Sequence, residues 1–190
     1  LFTTRPVGDA MATTIWGTSS SWTLTALPLF VWMGEILFRT KLSENLFKGL
    51  SPWLSKLPGG LIHVNVVGCG LFAAISGSSA ATVATVGKMS IPELRKRKYP
   101  EKILLGSLAG SGTLGLLIPP SIILIIYGVT IEDSIAKLFM AGIFPGIMLA
   151  IIFMLYVVVW SIINKKQMPK ISEEFSFIEK IKRSKQLLPV

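Results

Sequence analysis

Residues Leu57 to Gly87 read LPGGLIHVNVVGCGLFAAISGSSAATVATVG, an apolar run without one Asp, Glu, Lys or Arg. It exceeds the roughly 20 apolar residues that cross a bilayer core. Its centre is polar and small: Ser76-Gly77-Ser78-Ser79, then Ala80-Ala81-Thr82. Four such residues in a row weaken a helix at mid-membrane depth, although they also permit close helix packing. The flanks decide the topology. Arg39, Lys41, Lys48 and Lys56 precede the run; Lys88, Arg95, Lys96, Arg97, Lys98 and Lys102 follow it. A single crossing would put one strongly basic loop outside, against the tendency of Lys and Arg to remain cytoplasmic. A hairpin that enters and leaves on the cytoplasmic side keeps both loops inside, so residues 58–88 are predicted to form a re-entrant helical hairpin.

The rest of the chain has the same solvent. Apolar residues make up 51% and charged residues only 15%, against about 25% charged in a soluble domain. The mean hydropathy is +0.64. Further charge-free runs cover Ala10 to Gly34, Ile103 to Ile131 and Leu138 to Asn164. The formal charge of +9 is the kind of excess that phosphate binding leaves. Here the basic residues cluster between apolar runs, where they set membrane orientation, so the partner expected is a lipid bilayer and not nucleic acid. Cys69 is the only cysteine and lies in an apolar run. It can make no intrachain disulfide or multi-cysteine metal site, and is expected to be a small packed hydrophobe. The first ten residues, LFTTRPVGDA, lack the basic and apolar regions of a signal peptide, so the chain is expected to begin within a longer protein.

Downstream of the hairpin, ILLGSLAGSGTLGLLIPPSIILIIYGVTI (residues 103–131) is interrupted twice. Gly110, Gly112 and Gly115 loosen it, and Pro119-Pro120 removes two backbone donors and clashes with the preceding turn. A broken membrane helix over 103–128 is predicted, one half ending near Gly110 and the next starting near Pro120 or Ser121. SIPE at Ser90 to Glu93 has capping-box spacing, which predicts a short separate cytoplasmic helix after the hairpin. Residues 1–38 should hold a first membrane span, Ile15 to Phe38, kinked at Pro28. Residues 39–57 read as an interfacial arm helix with Leu42, Leu46, Leu50, Trp53, Leu54 and Leu57 on its apolar face. Residues 58–128 should hold the hairpin and the broken helix, and 129–164 a further membrane span. Residues 165–190 read as a cytoplasmic amphipathic tail. With Glu132 and Asp133 in an outer loop, every basic cluster lies on the inner side.

A membrane hairpin and a broken helix both free backbone groups at membrane depth, which is tolerated only where they are buried in protein or line a polar cavity. In transporters such carbonyls coordinate sodium and half-helix N-termini favour anionic groups. Ser76, Ser78, Ser79 and Thr82 on one element, and Ser111, Thr113 and Ser121 on the other, add hydroxyl oxygens suited to a hard cation. The same residue types also pack membrane helices without binding anything. Proton coupling would call for an ionisable group in the membrane; His63 and Tyr127 are the candidates, and His63 is expected to be interfacial or packed. Sodium, through Ser76, Ser78 and Thr113, is therefore the expected coupling ion, with no organic cofactor. No enzyme is expected. His63, the one candidate base for Ser76, lies thirteen residues upstream, about 20 Å away if helical. A phosphate loop fails because Met89 follows Gly87-Lys88 and position 82 is Thr.

The order FAAISGSSAATVATVGKMSIPEL, then GSLAGSGTLGLLIPPSIILIIYGVTIEDSIAKLFMAGIFPGI, resembles the large permease subunit of the tripartite ATP-independent periplasmic (TRAP) transporters from about Leu24 to Trp160. The resemblance implies an all-α integral membrane fold similar to half of an ion-transporter-superfamily protein, with a re-entrant hairpin and a broken transmembrane helix, residues 58–128 being half of a transport domain and residues 1–38 and 129–164 scaffold spans. It also implies a sodium-driven elevator in the bacterial inner membrane. Organic anions, such as C4-dicarboxylates or sialic acid, would arrive from a periplasmic binding protein, and a small membrane subunit would join the assembly. Carried onto this sequence, Ser76, Gly77, Ser78, Ser79 and Thr82 match the hairpin, and Gly112, Thr113, Gly115, Pro119, Pro120 and Ser121 match the broken helix. No second hairpin follows before Val190, so these residues alone are not expected to transport. The competing reading is a non-transporting scaffold or assembly subunit whose Ser and Gly residues only pack helices.

Overall fold

The computed structural model describes residues 6–20, 22–40 and 42–169. Every regular element among them is helical. The amphipathic tail expected beyond Lys170 lies outside the described residues.

The hairpin region folds into α4 (Ile62–Ser76) and α5 (Ser79–Lys96) around a two-residue turn. Gly77 adopts the left-handed conformation, φ 62°, and its N–H bonds to the Ala73 carbonyl. Without a Cβ it does so at little cost and ends α4. Ser78 is extended, and its hydroxyl accepts from the Ala81 N–H, capping α5. The two helices then run back along each other. A Cβ on Gly68 would lie 3.6 Å from Val86, and Cys69, Phe72, Val86 and Leu108 form one buried cluster.

The separate helix expected from SIPE is absent. α5 continues through Pro92, Ser90 is fully buried inside it, and Glu93 pairs with Arg97 at 2.8 Å. Pro92 forfeits only one helical hydrogen bond, and Leu94, fully buried in the main core, secures the turn that follows. The chain reverses at Lys98, φ 60°. Tyr99 Oη then accepts from the Leu61 N–H at 3.1 Å, tying the end of α5 to the start of α4. Burial raises the Tyr99 phenol above its ordinary pKa, opposed by that hydrogen bond and by Arg97.

The second break falls where the prolines place it. α6 (Glu101–Gly112) and the short α7 (Leu114–Leu117) precede an extended stretch, and α8 (Ile122–Thr130) follows it. The first half reaches Gly112, two residues beyond the expected end. α6 lies against both hairpin arms, and Asn65 on α4 donates to the Leu104 carbonyl at 3.3 Å and to Ser107 Oγ at 3.0 Å. Ile62, Val64, Leu94, Leu104, Leu114 and Val157 centre the core.

The flanking segments depart further from expectation. Ile15 to Phe38 is not one kinked helix: α1 (Val7–Ser19) ends, a 3-10 turn spans Trp22–Thr25, and α2 (Ala26–Arg39) begins anew. Ser19 and Ser20 stand at the break, where hydroxyl side chains compete for backbone groups, and Ser20 Oγ donates to the Gly17 carbonyl. α3 (Leu42–Leu54) packs Leu50 and Leu54 of the expected face against the core. Phe47, Ser51 and Ser55 are buried while Trp53 is exposed. Ser51 can be buried because its hydroxyl donates to the Phe47 carbonyl at 2.6 Å.

Two stretches of the described residues are long and apolar enough to cross a membrane, Glu101–Thr130 and Ile135–Ile163. The second is α9, whose exposed apolar side chains run from Met140 to Ile163. A helix apolar all round suits a lipid or fully packed environment. Gly142 and Gly146, one small-xxx-small pair, let α9 approach the second break. A Cβ on Gly142 would sit 2.6 Å from the Leu117 carbonyl oxygen, a backbone atom with little freedom to yield. Gly142→Ala should therefore lower the detergent melting midpoint by the equivalent of about 1–3 kcal/mol. Gly106→Ala, at a site with nothing within 4 Å, should leave the midpoint unchanged or slightly raised. Equal midpoints for the two variants would contradict the close approach.

Candidate functional site

The two interruptions meet. A Cβ on Gly77 would sit 2.7 Å from the Pro120 carbonyl oxygen, and the Ile122 N–H donates to the Gly77 carbonyl at 3.2 Å. The turn of the hairpin is thus joined through its backbone to the start of α8. Gly115 provides a second close approach. A Cβ there would lie 2.9 Å from Ser79 N and 3.0 Å from the Ser78 carbonyl carbon. Gly112 faces the same arm, with Val83 filling the space a side chain would need. The Pro119–Pro120 peptide bond is cis.

Hydroxyl groups line this crossing. Ser76 and Thr82 are buried, and their oxygens share a hydrogen bond of 2.9 Å. Ser76 Oγ also donates to the Ser78 carbonyl and accepts from the Ser78 N–H, both at 3.4 Å. Ser121 caps α8 as Ser78 caps α5: its hydroxyl accepts from the Leu124 N–H at 3.4 Å and donates to the Leu116 carbonyl at 2.7 Å. Two helix N-termini, with their unpaired N–H groups and positive dipole ends, therefore open at one place. Ser79 Oγ is shielded from solvent and has no hydrogen-bond partner. Hydroxyl and carbonyl oxygens around a shielded point are the ligand set a hard cation takes, and paired helix N-termini suit an anion.

Of the residues singled out in the sequence, Ser76, Gly77, Ser78, Ser79, Thr82, Gly112, Gly115, Pro120 and Ser121 come together, and Pro119 sits beside them in the break. Thr113 does not join: it is exposed, and its hydroxyl donates to the Gly110 carbonyl at 2.7 Å. Ser111 is buried with its hydroxyl on the Ser107 carbonyl. Sequence reasoning passed over Val83, Ile122 and Asn65; only Asn65, a polar residue inside an apolar run, carried a visible signal. His63 is fully buried at the start of α4, its Nε2 2.8 Å from the Pro58 carbonyl. It stands at the opposite end of that helix from Ser76, so the two form no nucleophile–base pair.

A family model described as "Tripartite ATP-independent periplasmic transporter, DctM component" matches residues 1–186. The C4-dicarboxylate TRAP transporter large permease protein of Pseudomonas aeruginosa is 38% identical over 160 residues, covering 84% of this chain and 37% of that protein. The 2,3-diketo-L-gulonate TRAP transporter large permease protein of Escherichia coli is 39% identical over 145 residues, 76% of this chain and 34% of its own length. The sialic acid TRAP transporter permease protein of Haemophilus influenzae is 37% identical over 134 residues, 70% of this chain and 22% of its own length. The chain thus spans between about a fifth and two fifths of the length of these relatives. With residues 1–186 matched by the family model and 38% identity over 84% of its length to one such protein, the chain belongs to the large permease components of the TRAP transporters.

Proposed function

We propose that this chain supplies one half of the transport machinery of a bacterial inner-membrane TRAP permease, which takes up an organic anion by a sodium-coupled elevator mechanism. The observation that carries this reading is the meeting of the two interruptions, where the capped N-termini of α5 and α8 open beside shielded hydroxyls. Residues 58–128 form the moving half-domain. Residues 1–38 and 129–164 belong to the scaffold, and 39–57 to an arm between them. Sodium binds among Ser76, Ser78 and Ser79, with Thr113 turned away. The partners are a small TRAP membrane subunit and a periplasmic substrate-binding protein. Relatives named for C4-dicarboxylate, 2,3-diketo-L-gulonate and sialic acid support an anionic solute, while one named for ectoine leaves its identity open within the family.

A packing role has its own support, because Ser76 and Thr82 satisfy each other. Sidedness tests the hairpin on which the transport reading depends. Cysteines at Lys56 and Lys98, both exposed, are introduced into the full-length protein, where the native Cys69 is buried and contributes little background. Both should react with a membrane-impermeant maleimide from the cytoplasmic side alone. Reaction from opposite sides would make 58–88 a plain transmembrane span and overturn the reading.

A further inference from the structure

A cavity of about 280 Å³ opens between α4, α6 and α9, lined by Val66, Gly106, Ile152, Phe153, Tyr156 and Val157. Two lining residues carry hydroxyls: Tyr156 stands exposed at the mouth, and Ser107 is already committed, accepting from Asn65 and donating to the Leu104 carbonyl. Apart from the Tyr156 phenol at the mouth, the walls therefore offer no free polar group. An apolar cavity of roughly half this size stays dry and takes up apolar molecules. Ile152 and Tyr156 are exposed at its mouth, 49% and 58%, so it opens on the outer surface of α9 and not toward the crossing of the two breaks.

The charge nearby distinguishes one apolar occupant from another. α6 and α9 pack with Gly110 beside Phe153, and they run in opposite directions. One turn down α6 from Gly110 is Gly106, and one turn below that is Lys102; the matching descent along α9 passes Val157 and Ser161 to Lys165. At about 6 Å per four residues, the basic level lies some 6–12 Å from the cavity. Lys102, Lys165 and Lys166 are exposed and form no ion pair among the described residues. The neighbouring acid, Glu101, is occupied by Arg95 at 2.8 Å.

We infer that this cavity is a phospholipid site, holding part of one acyl chain between α6 and α9 while Lys102 and Lys165 receive an anionic headgroup. The spacing of basic level and cavity matches the separation of headgroup and upper acyl chain. Basic pockets between helices on the cytoplasmic side recognise anionic lipids through the same chemistry. The inference rests on the membrane orientation proposed above, but not on the sodium site.

The test uses the full-length permease reconstituted in phosphatidylcholine vesicles, with phosphatidylglycerol bearing a diazirine on its acyl chain as the probe. Photoadducts should map to peptides containing Gly106 and residues 152–157. Gly106→Phe, which projects into the cavity from a position with no atom within 4 Å, should remove most of this labelling while the protein remains monodisperse. Lys102→Gln and Lys165→Gln should each cut the preference for the phosphatidylglycerol probe over its phosphatidylcholine counterpart by about fivefold. Labelling that Gly106→Phe leaves unchanged overturns the site. Equal labelling by both probes in the wild type overturns the headgroup assignment. Absence of adducts in a permease that still transports removes the lipid site and leaves the transport reading standing; adducts in a permease with opposite-side labelling at Lys56 and Lys98 do the reverse.

Discussion

Gly77→Val is expected to reduce sodium-driven uptake by the full-length permease to background and to lower its melting midpoint markedly. Three costs fall on one position. The φ of 62° is a left-handed conformation that costs an L-residue about 1–2 kcal/mol, more when the side chain is β-branched. The new Cβ would sit 2.7 Å from the Pro120 carbonyl oxygen, and no rotamer change can relieve a clash with backbone. Backing away would break the 3.2 Å bond from the Ile122 N–H to the Gly77 carbonyl, and leaving such groups unpaired costs about 1–3 kcal/mol. Together these exceed about 3 kcal/mol, enough to shift the joined arrangement by about a hundredfold. Gly77→Ala meets the same clash without the branching and should lie between wild type and Gly77→Val. Gly106→Ala, with open space around it, should transport normally. Vesicle uptake under a sodium gradient and a detergent melt check the series. Near-normal uptake by Gly77→Val would mean that contact between the two breaks is dispensable.

Local signals carried the hairpin and the break, because both have local causes. Basic residues on each side of Ser76-Gly77-Ser78-Ser79 implied a return, and two consecutive prolines cannot continue a helix. Their meeting is a contact between residues 77 and 120, which no local pattern encodes. Gly112 and Gly115 read as loosened helix in the sequence; in the fold they remain in or beside helix and serve as close-approach points beneath Ser78 and Ser79. Helical phase explains why Thr113 misled. Positions 112 and 115 share a face while 113 is turned about 100° away, so a hydroxyl between two contact glycines points elsewhere. Pro92 misled differently: its local preference for a first turn yields to the burial of Ser90 and Leu94 on either side. On α3, apolar periodicity found Leu50 and Leu54, which pack on the core, but grouped the exposed Trp53 with them and passed over Ser51, which bonds its own helix backbone and is buried beside Phe47.

Ser79→Ala should raise the sodium concentration for half-maximal uptake by about tenfold or more, while the melting midpoint in sodium-free buffer is unchanged or higher. Ser79 Oγ is shielded and unpartnered, a state that costs a hydroxyl about 1–3 kcal/mol and that native proteins retain chiefly where the group has a task. If the residue only packs, removing the oxygen relieves that cost and changes nothing else. If it binds sodium, the variant becomes more stable without the ion and less responsive to it. Ligand that binds the folded state stabilises it by an amount that grows with the logarithm of its concentration over Kd, so sodium should stabilise the wild type and leave Ser79→Ala nearly unmoved. Ser78→Ala provides the contrast. It loses the cap of α5, about 0.5–2 kcal/mol, and should fall in stability with or without sodium. A Ser79→Ala protein that keeps the full sodium-induced shift and the wild-type half-saturation would assign this hydroxyl to packing and move the ion elsewhere.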